Sequence, residues 1–493
     1  MTDDPNARMD ALVRTQGNAL QPKDDAYDFI AIGGGTAGLV STAGLALFGA
    51  RTAMIERERL GGDCLVAGCV PSKALLHAAK VAHQARQASR WGVDVGEVKV
   101  DFARVMHRLR ETRAEIAHDD SIDTAAGRGV DVIAGEAKFI GPGAVRVGDA
   151  TINFKRALIA TGGRPHVPDI PGLGEHDPLT TESVFELTER PQRLLVIGGG
   201  PAGCELSQAM QRLGCAVTVV QRGDRLLPRN DPDASAVLLE VLRGEGIDVL
   251  LEATVERIED HCAHIVTTDG ARTVPFDRIL LAAGRVPNVE NLGLQAAGVQ
   301  AEPDGIVVDD RLRTSNRRIY AAGDVVAGMP NSTHAAWAGA EYAALNAFFP
   351  AFLAAKRRVI PWATYTDPEV AHVGSTLDQL RARDVQVDTL TVPVAENDRA
   401  HIEGQRVGFA RVYLKKGTDT ILGGTIVGPA AGELIVELAG AMTQGLGLYK
   451  LTKTVRPYPT RSEVVRDLAY AYGTGRITPT VARLAQWWIG MRR

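Results

Sequence analysis

The sequence predicts an α/β protein, and three observations carry that prediction. A strand, a glycine loop, a helix and a second strand follow one another between residues 27 and 56. The same pattern returns 165 residues downstream, from residue 193 to 221. From residue 362 onward the glycine loop is absent and strands at 408–414 and 420–427 precede helices, as in an α+β domain. Two Rossmann-like halves and one region of different construction follow.

Taken in order, residues 1–25 are polar and charged and read as a flexible arm, without the apolar stretch of a signal peptide. The strand at 27–32 runs into Gly33-Gly34-Gly35-Thr36-Ala37-Gly38, then a helix at 39–47 and a strand at 51–55 that ends at Glu56. Gly33 allows a tight turn, Gly35 lets a pyrophosphate approach the backbone, and Gly38 lets helix and strand pack closely. Thr36 and Ala37 belong to the loop at the nucleotide site, and the N-terminus of the helix that follows faces the phosphates. Glu56, 23 residues after Gly33, is placed to bind ribose hydroxyls. A dinucleotide site is the expectation.

The second unit has a strand at 193–197, Gly198-Gly199-Gly200-Pro201-Ala202-Gly203, a helix, and a strand at 216–220. Gly198, Gly200, Pro201 and Gly203 repeat the loop. Gln221 stands where the first unit has its acid, and Arg222 follows. Without the carboxylate a 2′-phosphate is not repelled, and a guanidinium can pair with it, so this site leans to NADPH over NADH.

Further strands at 156–160, 278–281 and 318–322 break at Thr161-Gly162, Gly284 and Gly323-Asp324, and residues 338–355 are expected to be helical. An aspartate just past a strand's carboxyl end sits where doubly wound sheets bind ligands. Between the first unit and the middle of the chain lies the stretch 60–73, with Cys64 and Cys69 between the Gly61-Gly62-Asp63 turn and Pro71-Ser72-Lys73. In a regular helix, residues five apart have Cα atoms about 8–9 Å apart, whereas a disulfide needs about 4.4–6.8 Å. The two can bridge only if the backbone between them is irregular, which Gly68 permits. A helix N-terminus there favours a thiolate.

Lys plus Arg number 55 and Asp plus Glu 59, a balance that offers no general attraction to nucleic acid or membranes. No run reaches the apolar length of a membrane span, and five cysteines do not make a secreted disulfide scaffold. A cytoplasmic protein is expected. Cys204, Cys215 and Cys262 are expected to pack as small hydrophobes. His261 and His264 beside Cys262 lack a fourth ligand, so no metal site is expected. The interspersed charges of 84–113 suggest a solvated helix face.

Together the 33–38 loop, Cys64 to Lys73, Gly135-Glu136-Ala137, Thr161-Gly162, the loop at Gly198, Gly323-Asp324, Thr366-Asp367-Pro368-Glu369, Val373-Gly374 and Pro459-Thr460 with Glu463 resemble the pyridine nucleotide–disulfide oxidoreductase family. These flavoproteins include glutathione reductase, dihydrolipoamide dehydrogenase and mercuric reductase. The resemblance implies FAD in the first fold, NAD(P)H in the second and a dimerisation domain that makes a homodimer. It divides the chain at 26–172 (FAD), 173–286 (NAD(P)H), 287–355 (FAD, second part) and 356–493 (dimerisation). It implies that Cys64 and Cys69 form a redox-active disulfide, with the Cys69 thiolate against the flavin and Cys64 meeting the acceptor. Lys73 would lie near the flavin with Glu205 as its ion-pair partner. Gly62, Asp63, Ala137, Thr161, Gly162, Gly323, Asp324 and Thr333 would join the FAD site, and Gly284 the NAD(P)H site.

One departure matters. Disulfide reductases of the family carry a His-Pro pair followed by Glu, the His acting as acid/base. Here Tyr458-Pro459 precedes Glu463. A phenol near pKa 10 shuttles protons poorly at neutral pH beside an imidazole near 6.5. Mercuric reductases have a tyrosine in the similar place, so a thiophilic metal ion or its thiol complex is the expected acceptor. Residues 487–493 contain no cysteine, unlike the vicinal pair that usually ends such enzymes. A disulfide reductase with another base (His401 or Glu463) and a redox-sensing flavoprotein are the alternatives.

Overall fold

The computed structural model describes residues 4–17, 21–349 and 358–493. They fall into two units: Met1–Arg222 with Gly246–Arg358, and Gly223–Glu245 with Val359–Arg493. The sequence-based boundaries place 223–245 inside the second nucleotide fold, but spatially this segment clusters with the last region.

In the first unit, α1 (Pro5–Val13) is capped by Asp4 and opens on proline. It buries Met9 and Val13, and Val13 carbonyl accepts Leu60 N–H at 2.9 Å. The expectation of a flexible arm over 1–25 therefore fails for 5–13: the polar sequence hides two apolar residues four apart, which suffice to seat a short helix. The rest of the arm at 1–3 and 18–20 lies outside the described residues.

Then come β1 (Ala26–Ile32), α2 (Thr36–Ala46), β2 (Thr52–Glu56), α3 (Gly62–Val66), α4 (Cys69–Arg86) and α5 (Phe102–Ile116). They are followed by β3 (Val130–Ala134), β4 (Ala137–Gly141), β5 (Ala144–Val147) and β6 (Ala150–Ile159). The sheet order is β3-β2-β1-β6-β5-β4, and Ile319–Ala321 also pairs with β6. β3, β2, β1, β6 and Ile319–Ala321 are parallel, with Phe29 opposite Thr52 and Arg156. β1, β2 and β3 are almost wholly buried, as sheets covered on both faces require, and β6 is continuously buried over its last three residues. The Thr333–Phe348 helix packs on α2; residues 350–355 of the expected helix lie outside the described residues.

The second nucleotide-type sheet is parallel, in the order Asp248–Leu250, Ala216–Val220, Arg193–Ile197, Arg278–Leu281, Leu179–Thr180. The run Gly62–Arg86 is long and apolar enough by composition to match a membrane span. Instead it is broken between α3 and α4, carries Lys73 and Lys80, and α4 packs against α5 and the Pro201–Arg212 helix.

The second unit is built on an antiparallel sheet in the order Trp362–Thr364, Glu369–Gly374, Ile421–Gly428, Phe409–Lys415, Val387–Pro393. Its core holds a buried polar network. Asp231 Oδ2 accepts from Tyr413 Oη at 2.7 Å and from Thr425 Oγ1, while Oδ1 accepts Leu377 N–H at 3.2 Å. Thr425 Oγ1, its proton given to Asp231, lies 2.7 Å from His372 Nδ1. This network ties the 223–245 segment to the sheet.

Candidate functional site

Two glycine loops have the same construction. Gly33 has φ +108° and a Cβ there would fall 2.3 Å from Ala160 O; Gly198 has φ +116° and would meet Ala282 O at 2.3 Å. Gly38 and Gly203 let each helix close on its loop, since a Cβ at either would lie 2.0 Å from the first glycine's carbonyl. Around Gly35 and Gly200, by contrast, a Cβ would meet nothing closer than 3.7 Å. These two glycines head α2 and Pro201–Arg212, and no side chain caps either helix. An open space in front of uncapped backbone N–H groups fits a pyrophosphate in both halves.

A residue at the end of the second strand closes each loop from below. Gly34 N–H donates to Glu56 Oε2 at 2.6 Å, and Gly199 N–H donates to Gln221 Oε1 at 2.9 Å. Burial pushes the Glu56 carboxyl up, against the backbone bonds that favour its charge. Arg222 is exposed beside Gln221.

The cysteine stretch folds back toward the first loop. Gly61 and Gly35 form a bridge, and a Cβ on Gly62 would fall 2.8 Å from Gly35 Cα. Cys64 lies in α3 and Cys69 opens α4, because the helix breaks at Ala67 and Gly68. Gly68 is required there: a Cβ would sit 2.7 Å from Asp63 O. This break is the irregularity that lets sulfurs five residues apart meet. Both are free thiols in this structure, hydrogen-bonded to each other.

Their surroundings differ. The Cys64 hydrogen bond pulls the Cys69 thiol down to about 6, against the burial that opposes it. Thr333 Oγ1, 3.0 Å from Cys69 Sγ, and the charge of Lys73 add to the lowering. Cys69 also stands at the N-terminus of α4, where the dipole favours a thiolate. The Cys64 thiol is pushed up, first by its bond to Cys69, then by burial, and also by the charge of Asp120. Lys73, four residues after Cys69, is paired with Glu205 at 2.9 Å.

The structure brings Asp63 and Asp324 together through Arg285, whose Nε is 3.2 Å from Asp324 and whose Nη2 reaches Asp63 and the Gly163 carbonyl. Burial pushes the Asp324 carboxyl up although Arg285 opposes it. Thr161 donates to Asn288 O at 2.7 Å, and Gly162 and Gly323 take left-handed turns. Ala137 begins β4 opposite Val147. Gly284 has φ +110° and its carbonyl accepts His166 N–H.

Tyr458 and Glu463 lie in the second unit. Tyr458 is exposed and donates to Asp398 Oδ2 at 2.8 Å, an interaction that holds its hydroxyl above the ordinary phenol value. Glu463 is buried, 2.6 Å from Arg466 Nη1, and accepts Thr460 N–H at 3.2 Å. Among the described residues no three His, Cys, Asp or Glu side chains converge as a metal site would need; His261 instead stacks with His176 and Phe276.

Sequence reasoning missed three residues around the thiols. Arg113, 1% exposed, donates to the Val66 carbonyl at 2.7 Å, to Asn6 Oδ1 at 2.6 Å and to Glu186 Oε1 at 2.6 Å. It lies in the charged stretch taken for a solvated face. Asn6 belongs to the expected arm, and Asp120 reaches Cys64 only through the fold. No local pattern marks any of them.

Comparison with known proteins gives a consistent picture. The family described as pyridine nucleotide-disulphide oxidoreductase matches residues 27–340, and its dimerisation domain matches 360–469. A mercuric reductase of Bacillus cereus is 36% identical over 442 residues, 89% of this chain and 70% of that protein. Dihydrolipoyl dehydrogenase 2 of Haloarcula marismortui is 35% identical over 460 residues, 90% of this chain and 96% of that one. Among solved structures, the HOCl-induced flavoprotein disulfide reductase RclA of Escherichia coli superposes with a TM-score of 0.80 at 28% identity, covering 90% of this chain and 99% of that chain.

Proposed function

Because the chain belongs to the pyridine nucleotide–disulphide oxidoreductase family, we propose that it reduces a thiophilic metal ion, mercuric ion or its thiol complex, at the expense of NADPH. The family uses FAD and NAD(P)H. The first glycine loop with Glu56, Asp324 and the turn at Gly62 would hold FAD, and the second loop with Gln221 and Arg222 the nicotinamide nucleotide. A flavin held there would supply hydride chemistry between the nicotinamide nucleotide and the sulfurs, and Cys64 and Cys69 would take up the two electrons by passing from disulfide to thiol pair.

The chain's residues do the rest. Cys64, Thr333 and Lys73 hold Cys69 as a thiolate at neutral pH. Cys64 keeps its proton until it meets the acceptor. From a thiol complex, NADPH, a proton and Hg(SR)₂ give NADP⁺, the neutral metal and two thiols, the ligand thiolates taking their protons from solvent; with the bare ion, NADPH and Hg²⁺ give NADP⁺, a proton and the neutral metal, and no departing thiolate has to be protonated. For a disulfide it does, and that is where Tyr458 carries the reading: a phenol donated to Asp398 and held above its ordinary value is a poor acid/base near pH 7. The dimerisation domain supports a homodimer. Reduction of a small disulfide is the second reading, supported by the dihydrolipoyl dehydrogenase relatives.

The test is anaerobic NADPH oxidation by the flavin-loaded protein with mercuric salt in excess thiol, beside glutathione disulfide and lipoamide. Mercuric-dependent turnover that is lost in Cys64→Ser and Cys69→Ser supports the proposal; turnover unchanged in both sinks it. Tyr458→His should raise disulfide turnover by about a hundred-fold, the usual worth of a positioned general acid, and leave mercuric turnover nearly as it was. Robust disulfide reduction by the unaltered protein would move the assignment to the second reading.

A further inference from the structure

The match to the dimerisation domain ends at residue 469, yet the chain goes on to a last helix, Pro479–Gly490. Thr478 caps it, its Oγ1 accepting Val481 N–H at 3.3 Å, and Pro479 opens it. None of its residues is buried. Val481, Leu484, Trp488 and Met491 recur at spacings of three, four and three and line one stripe. Trp487 widens the stripe on one side, and Trp487 is 61% exposed, Trp488 52%. Arg483 and Gln486 fall on the opposite face.

Charge is distributed unevenly here. The chain as a whole carries a net −4, but no Asp or Glu follows Asp467, while Arg476, Arg483, Arg492 and Arg493 do. The Arg492 guanidinium lies 5.0 Å over the Trp488 ring. We infer that this helix is a docking surface for an anionic phospholipid bilayer, lying in the plane of the headgroups.

Three features favour that occupant. A wide apolar face with two tryptophans and an arginine-bearing rim is the composition that settles at a bilayer surface. Twelve residues make a helix of about 18 Å, too short to cross about 30 Å of hydrocarbon, so it lies flat. A second copy of the same helix would bring arginines against arginines with no acid to pair them, whereas acidic headgroups neutralise them.

The test uses the full-length, flavin-loaded protein and sedimentation with vesicles. We expect binding to phosphatidylcholine vesicles carrying a quarter phosphatidylglycerol, a blue shift of tryptophan emission, and loss of both in high salt. Arg492→Gln with Arg493→Gln should weaken partitioning about thirty-fold, from the typical contribution of each basic residue at an acidic surface. Trp488→Ala should weaken it too, and each variant should retain NADPH oxidation with a soluble acceptor. The inference is overturned if phosphatidylglycerol vesicles do not bind, if pure phosphatidylcholine binds equally well, or if a chain ending at Ile477 binds as before. A dimer-to-monomer shift in Trp488→Ala without vesicle binding assigns the helix to a second copy and likewise overturns it.

Discussion

Side-chain neighbours lower the Cys69 thiol against the burial that opposes them. The bond from Cys64 is the largest lowering influence, so Cys64→Ala should move the half-point of Cys69 alkylation from about 6 toward the ordinary thiol value near 8.5. Thr333→Val should move it in the same direction by less. Iodoacetamide labelling of the NADPH-reduced protein across pH measures both, and an unchanged profile in Cys64→Ala would mean that the helix end and Lys73 alone suffice. The expectation that places Thr333 at the flavin came from family resemblance; its approach to the Cys69 sulfur is what the fold adds. No spacing rule could have given that, because 264 residues separate the two.

At the scale of elements, what was legible is what is local. Each glycine loop lies within about 30 residues of its own two strands and of the residue that closes it, Glu56 or Gln221, and obeys short-range sterics. The break at Gly68 was legible for the same reason. The brace on the cysteine stretch was not. It joins α1, α5 and the segment at Glu186 through Arg113, and its charged sequence looks like any solvated face. Arg113→Met should remove the bonds to the Val66 carbonyl, to Asn6 Oδ1 and to Glu186 Oε1. We expect a loss of about 3 kcal/mol, the order found when one partner of a buried ionic contact is removed, measured by urea unfolding. A loss under about 0.5 kcal/mol, the range of ordinary surface substitutions, would return Arg113 to the surface class.

For the molecule as a whole, the His372 network sets a pH limit. Burial lowers His372 to about 4, outweighing the attraction of Asp231, whereas in the unfolded chain it titrates near 6.5. The unfolded state therefore binds more protons between those values, and stability should fall as pH drops from 6.5 to 4, by at most about 1.4 kcal/mol per pH unit from this residue. Below 4 its contribution stays flat. Unfolding midpoints from pH 4.5 to 6.5, compared with His372→Asn, test this; equal slopes would place the acid sensitivity elsewhere. The same network has a consequence for dissecting the protein. The 223–245 segment runs between two strands of the nucleotide sheet, yet its Asp231 finds its partners Tyr413 and Thr425 some 180 residues later. A chain severed after Arg358 would thus be left with an orphaned carboxylate in the middle of its own crossover, and should precipitate unless residues 359–493 are supplied alongside it. The halves are covalently separable on paper, but they would have to be born together.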